Sequence, residues 1–393
     1  MLAGGVLPGS AQRVPRPGRI VLPVLLGAFG SFGGFAGIFA VLLADLSASL
    51  GLSPGPLGLA LFVGAAASIL AMAALGWTAD RLGRRVFLVL SGTVMGAGII
   101  ALALAGGYAA LLAALMVLHA GSGLYDVGIN AAAVDLEKAT GRRYMAVLHA
   151  AFSAGGVVGA LSAGVLLSAG VDYRHVYLGA LVPLCAVILA VASIGFPPPR
   201  EQPENRDGAG SSGLYRNIPL LLIAVIATLA LLSEGEMEHW SGVYLRQTLG
   251  LSALLGGSGV AVFYGAMTAG RLSAALVIAR FGNRLTLLGA GLLAAGGMAL
   301  ALATREPPLV VAGFLVVGLA FSAVVPIAFS VAGDLAPGRA GAAISVVTTL
   351  GYSGFLLGPV IVGGLAEVVG LRAALGIIAV SGLLIFTLAL RLE

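Results

Sequence analysis

The sequence predicts an all-α membrane protein whose twelve transmembrane helices divide into two groups of six. Three observations carry that reading. Charged residues make up only 9% of the chain and hydrophobic ones 59%, with a mean hydropathy of +1.07, whereas soluble domains carry roughly 25% charged residues. The apolar residues fall in repeated runs close to the ~20 that a helix needs to cross a bilayer core of about 30 Å, and they lack the alternating polarity of barrel strands. A single stretch rich in Pro, Gly, Ser and charge, "PPPREQPENRDGAGSSGLYRN", divides the runs evenly and has the composition of a flexible linker.

Each span is bounded by charge or by turn residues. After a polar tail (1–19) ending in Arg13, Arg16 and Arg19, the first span is expected over 20–44, stopped by Asp45. The second (57–77) follows "SPGP", the third (86–106) follows "DRLGRR", the fourth (109–132) follows a Gly pair, the fifth (146–168) follows "GRR", and the sixth (175–196) follows "DYR". The linker (197–218) leads to the seventh span (219–244), and the eighth (254–278) follows "LGLS". The ninth (284–303) begins after "FGN", the tenth (307–331) after "TRE", the eleventh (340–364) after "PGR" and the twelfth (371–391) after "VVG". The two groups therefore occupy 20–196 and 219–393.

Basic residues set the expected orientation. With both termini cytoplasmic, every Lys and Arg except Arg174, Arg246, Arg271, Arg305 and Arg372 falls on the cytoplasmic side, the positive-inside asymmetry. The positive net charge is thus a mark of topology, and no nucleic-acid partner is expected. The N-terminal tail lacks the short apolar core and small-residue cleavage site of a secretory signal. One cysteine, Cys185, lies inside a span; no metal site or cofactor is expected.

Between the second and third spans stands "GWTADRLGRR", and between the eighth and ninth "ARFGNRL". Arg280, Gly282 and Arg284 correspond to Arg81, Gly83 and Arg85, with Ala279 in place of Asp80, so the chain contains an internal repeat with one half degenerate. Gly83 suits a tight turn. Asp80 is expected to accept hydrogen bonds from a neighbouring helix N-terminus and so latch the inner side. The set Gly76, Asp80, Arg81, Gly83, Arg84 and Arg85, with twelve spans and a central linker, resembles the major facilitator superfamily. That resemblance implies two pseudo-symmetric six-helix bundles around a central cavity and rocker-type alternating access. It also implies that the first, fourth, seventh and tenth helices line the cavity, joined by the second, fifth, eighth and eleventh.

Ionisable residues within spans are functional candidates because insertion scales charge several kcal/mol for them. In the fourth span His119, Asp126 and Asn130 fall within roughly 40° on one helix face. Asp126 is the best candidate for a proton-accepting carboxylate. The segment "GSGLYDVGIN" resembles the fourth helix of the fucose-permease-like branch, which implies that Asp126, with Asn130 beside it, takes part in sugar and proton coupling. The seventh span ends in "LLSEGEMEHWSGVYL", where Glu234 and Glu238 share a face while Glu236 and His239 point elsewhere. "EGEMEHWS" also resembles a bacterial group related to that branch; His239 departs from its usual Asp. Glu234 is expected at a cavity, and Glu236 at a water-exposed helix end.

Tyr264, Thr268 and Arg271 of the eighth span fall within about 60°, and Arg271 needs a carboxylate, a carbonyl cluster or an anionic substrate. In the eleventh span Ser345, Thr348, Thr349 and Tyr352 form a run of hydroxyls suited to a polyol or to interhelical bonding. His149 and Ser153 stand one turn apart in the fifth.

The expected function is alternating-access transport, with proton-coupled uptake of a small polar, sugar-like solute ahead of proton-coupled export of drugs or secondary metabolites. A third reading is a membrane sensor that has kept the fold without transport. No P-loop, zinc-ligand cluster or nucleophile elbow is present, so no enzyme is expected. The expected partners are a small-molecule substrate, protons and the lipid bilayer, the expected state a monomer, and the expected site the bacterial cytoplasmic membrane.

Overall fold

The computed structural model describes residues 18–197, 211–336 and 339–392. Arg13, Arg16, Arg200, Arg206 and most of the 197–218 linker lie outside them. The spans are α1 Gly18–Ser49, α2 Pro54–Leu75, α3 Arg84–Ala103, α4 Tyr108–Thr140, α5 Met145–Ser168 and α6 Tyr173–Ser193. The second half contains α7 Ile218–Val243, α8 and α9 within the stretch Ala253–Ala303, α10 Pro307–Asp334, α11 Ala340–Val369 and α12 Leu371–Ala389. Among the described residues this gives twelve spans, since Gly282 at φ 75° and ψ 168° breaks the 51-residue stretch into 253–281 and 283–303.

The backbone repeats itself at its joints. Gly83 turns the chain between α2 and α3 at φ 77° and ψ 152°, nearly the geometry of Gly282, in a region of the map open essentially to glycine alone. Gly51 and Gly250 close the first span of each half, and Gly170 and Gly370 the fifth, all at positive φ. Each C-terminal glycine follows its counterpart by about 200 positions.

Within each bundle the first and fifth helices pack backbone to backbone. A methyl group at Gly33, Gly37, Gly155 or Gly159 would overlap a carbonyl of Phe152, Gly156, Gly30 or Gly34 respectively, which welds α1 to α5. In the other half Gly354 of α11 lies as tightly against the Thr228 carbonyl of α7. Small residues are what permit such approach where lipid removes the hydrophobic drive between helices.

The two bundles touch through α1 with α7, α2 with α11 and α5 with α8. Their polar contacts gather at one end of the molecule. Arg246, just past α7, pairs with Asp45 of α1, and Gln247 donates to the Ala44 carbonyl and Ser47 Oγ, both at 2.8 Å. The Gly55 amide of α2 donates to Glu367 Oε1 of α11 at 2.7 Å. Close glycine contacts continue the seal: Gly58 of α2 lies on the Pro359 carbonyl, and Gly257 of α8 on Ala160 and Gly164 of α5. At the other end, which carries the 76–85 loop, the helices part. The buried residues of α2 run only from Leu57 to Gly64, and Leu70 and Leu75 are exposed.

The loop corrects one expectation. Asp80 does not reach the other bundle: its carboxylate lies 2.7 Å from Arg84, whose Nε donates to Asp135 of α4 at 2.6 Å. Arg84 and Asp135 are 7% and 6% exposed, so a buried guanidinium ties the loop to its own bundle. Among the described residues, the only ion pair of Asp80 is with Arg84.

Candidate functional site between the bundles

The candidate side chains converge from both halves onto the gap that opens at the loop end. On the N-terminal side, α4 presents Asp126 and Asn130 half-buried. Their i, i+4 spacing stacks them on one face, and Asn130 Nδ2 donates to Asp126 Oδ1 and to the Asp126 carbonyl, both at 2.9 Å. The second carboxylate oxygen of Asp126 is left for another donor.

On the C-terminal side, α7 and α8 supply a charged cluster. The partner that the sequence left open for Arg271 is Glu234: Nη2 donates to Oε1 at 2.6 Å, with the two side chains 37% and 14% exposed. Glu238, one turn further along α7, lies beside the Tyr264 hydroxyl and within Coulombic reach of Glu234 and Arg271. Gly156 of α5 makes room for the Tyr264 ring, and the Thr268 hydroxyl donates to the Tyr264 carbonyl at 2.8 Å. From α11, Tyr352 is half-exposed and within Coulombic reach of Asp126, Glu234 and Arg271 together. Ser345 and Thr349 are exposed on the face of α11 that Tyr352 shares, and His149 of α5 lies within reach of Arg271.

Other candidates stand apart. His119 bonds through Nδ1 to the Leu115 carbonyl at 3.0 Å, with its ring edge-on to Phe39 and seated against Gly64 of α2; it belongs to the packing toward the closed end. Ser153 donates to the His149 carbonyl at 3.2 Å. Glu236 overturns its expectation: far from facing water, it is 0% exposed, and its carboxyl sits against Gly358 of α11. A helical wheel separates the faces of α7 correctly but does not say which face meets another helix and which meets solvent. Sequence reading also missed Asp45, Arg246, Gln247 and Glu367 as contacts between bundles. Their signal was available: charged or amide side chains at span ends opposite the basic loops.

Two matched six-helix halves, sealed at one end and holding a polar site in the gap at the other, have the build of a solute carrier. The comparisons place it. The Major Facilitator Superfamily model matches residues 24–304 and 241–393, and the chain belongs to that family of multi-pass membrane transporters; it is not an enzyme. Relatives include an uncharacterized MFS-type transporter of Yersinia pestis, 33% identical over 359 residues and covering 89% of each chain. Membrane protein MosC of Rhizobium meliloti is 32% identical over 325 residues, covering 82% of this chain and 78% of the relative. Among solved structures, a mutant of the nucleoside transporter NupG superposes with a TM-score of 0.82 at 14% identity, over 95% of this chain and 99% of that one. A bacterial homologue of the human lysosomal transporter Spinster, inward-facing and occupied, gives 0.75 at 16% identity, over 96% and 97%. At such identities the last two matches show the fold alone.

Proposed function

We propose that this transporter couples protons to the uptake of a small polar solute rich in hydroxyls, of the sugar or nucleoside type. The observation that carries the reading is a carboxylate on each wall of the gap, Asp126 held by Asn130 on one bundle and Glu234 paired with Arg271 on the other. Asp126, held through one oxygen by Asn130, keeps the other for a proton or a substrate hydroxyl. Arg271 and Tyr352 supply donors and an aromatic face from the opposite wall, a set that suits polar solutes with a ring. NupG, a nucleoside transporter by its description, sharpens the choice of test compounds. The asymmetry of Lys and Arg supports cytoplasmic termini in a bacterial inner membrane, which makes the loop end the cytoplasmic side and the state described here inward-open.

The test is uptake by proteoliposomes of a panel of labelled sugars and nucleosides under an imposed inward proton gradient. Asp126→Asn is expected to abolish gradient-driven accumulation while leaving counterflow exchange. Undiminished accumulation by that variant would sink the coupling role. A second reading, export of cationic amphiphiles, is favoured by the excess of acidic groups, Asp126, Glu234 and Glu238 against Arg271, facing the gap. Outward movement of a cationic dye under the same gradient would select it.

A further inference from the structure

Glu236 has no part in the site above, and its surroundings are unusual. It is 0% exposed, and neither carboxyl oxygen has a hydrogen-bond partner. Its seat exists because α11 has no side chain there: a Cβ at Gly358 would overlap Oε1. The polar group beside it is the indole N–H of Trp240, one turn along α7 and also without a completed bond.

Among the described residues, no cation pairs with the carboxyl from the helices packed on α7. On α8, Arg271 and Tyr264 engage Glu234 and Glu238. On α11, Tyr352 turns to the gap and Glu367 holds the Gly55 amide. Arg372 of α12 donates to the Leu302 carbonyl at 2.8 Å, Asp45 of α1 is taken by Arg246, and on α10 Glu306 and Asp334 stand at the helix ends. His239, on α7 itself, packs on the Phe355 ring. An ionised carboxylate in so dry and unpaired a place costs far more than its contacts return. A metal ion fits no better, because hard cations need several oxygen ligands and the carboxyl here meets a Cα and an indole N–H.

The seat also lies at a point where the hydrogen bonding of α11 is interrupted. Gly358 precedes Pro359 inside α11. Proline has no N–H, so the Phe355 carbonyl one turn earlier loses its helical donor, and a neutral carboxylic acid is a donor. Pro359 in turn offers its own carbonyl to Gly58 of α2, while Gly363 meets Pro54. The carboxyl therefore lies behind the Gly358–Pro359 step of α11, whose other side meets α2 in the seal between bundles.

We propose that Glu236 is a second proton-binding site, neutral while the closed end is sealed, and that its ionisation loosens the α2–α11 half of that seal. Ionisation demands water or a counter-charge, and the way to either is movement of α11 at Gly358–Pro359. This site is separate from Asp126, so the accumulation assay above and the experiments here fail independently.

Infrared spectra of the full-length protein in lipid nanodiscs are expected to show a protonated-carboxyl C=O band at neutral pH that disappears in Glu236→Gln. Gly358→Ala, which crowds the carboxyl without removing it, should shift that band. If wild type and Glu236→Gln give the same carboxyl region, the neutral acid is refuted. Spin labels at Leu59→Cys and Val368→Cys, both exposed, with Cys185→Ser, then read the distance between α2 and α11. Wild type should lengthen as pH rises and Glu236→Gln should stay short. Equal lengthening in both would overturn the hinge.

Discussion

The two bundles share a backbone but not a charge distribution. Glycines at matched joints, Gly51 with Gly250, Gly83 with Gly282 and Gly170 with Gly370, give both halves the same turns. The N-terminal half places its buried charges at the loop, where Arg84 bridges Asp80 and Asp135. In the C-terminal half the matching loop has Ala279 and Asn283 at the places of Asp80 and Arg84, while Asp334 remains, exposed, at the place of Asp135. Arg284 there donates instead to the Leu390 carbonyl at 3.0 Å. The charges of this half lie within its spans, at Glu234, Glu238 and Arg271 beside the gap and at the fully buried Glu236. A repeated fold thus keeps the residues that the backbone needs and lets the charges divide the labour: one half anchors a loop, the other furnishes an ion pair and a dry acid.

The sharpest test of that division is Arg84→Ala against Asn283→Ala. Removing Arg84 strands a buried Asp135 and is expected to cost about 3 kcal/mol of stability, whereas Asn283→Ala should be near neutral; thermal unfolding in detergent reads both. The backbone half of the comparison predicts equality. Gly83→Ala and Gly282→Ala each force a side chain into a glycine-only region and should each cost about 2 kcal/mol, so a large difference between them would break the symmetry of the joints. Arg271→Ala strands Glu234, but Arg271 is more than one-third exposed, and with that screening about 1 kcal/mol is expected, alongside loss of uptake that Arg271→Lys partly restores. The smallest effect belongs to the rim. A double-mutant cycle on Asp45 and Arg246 should give a coupling below about 1 kcal/mol, together with faster labelling, from the closed end, of a cysteine introduced as Thr349→Cys in a Cys185→Ser background.

How much of this the sequence discloses differs by level. Span number, the break near Gly282 and the pairing of the loops are legible because hydropathy and glycine act locally. Span ends are less so: α1 reaches Ser49, α4 Thr140 and α11 Val369, beyond 44, 132 and 364. Apolarity marks where lipid stops, whereas the helix continues into polar sequence such as "DLEKAT". The helical face of Asp126 and Asn130 was readable from their spacing, and so was that of Glu234 and Glu238. The partner of Arg271 and the burial of Glu236 were not, since both depend on which helix lies alongside α7 and on a missing side chain at Gly358. Asp45 and Arg246 were each visible as charges at span ends, but that they pair joins residues about 200 positions apart, which no local pattern discloses.

The weld between α1 and α5 has a mechanical consequence. Gly33, Gly37, Gly155 and Gly159 press two helix backbones together over about two turns, and the pair spans the other bundle, α1 meeting α7 and α8 and α5 meeting α8. A stiff pair cannot yield on one side and hold on the other. It acts as a beam, so that a push delivered at Asp45 is felt at Gly164 against Gly257, and both contacts should part or meet in a single stroke. A bulky residue in this glycine seam would give the beam play, and the first sign would be lost synchrony between the two contacts with each helix still intact.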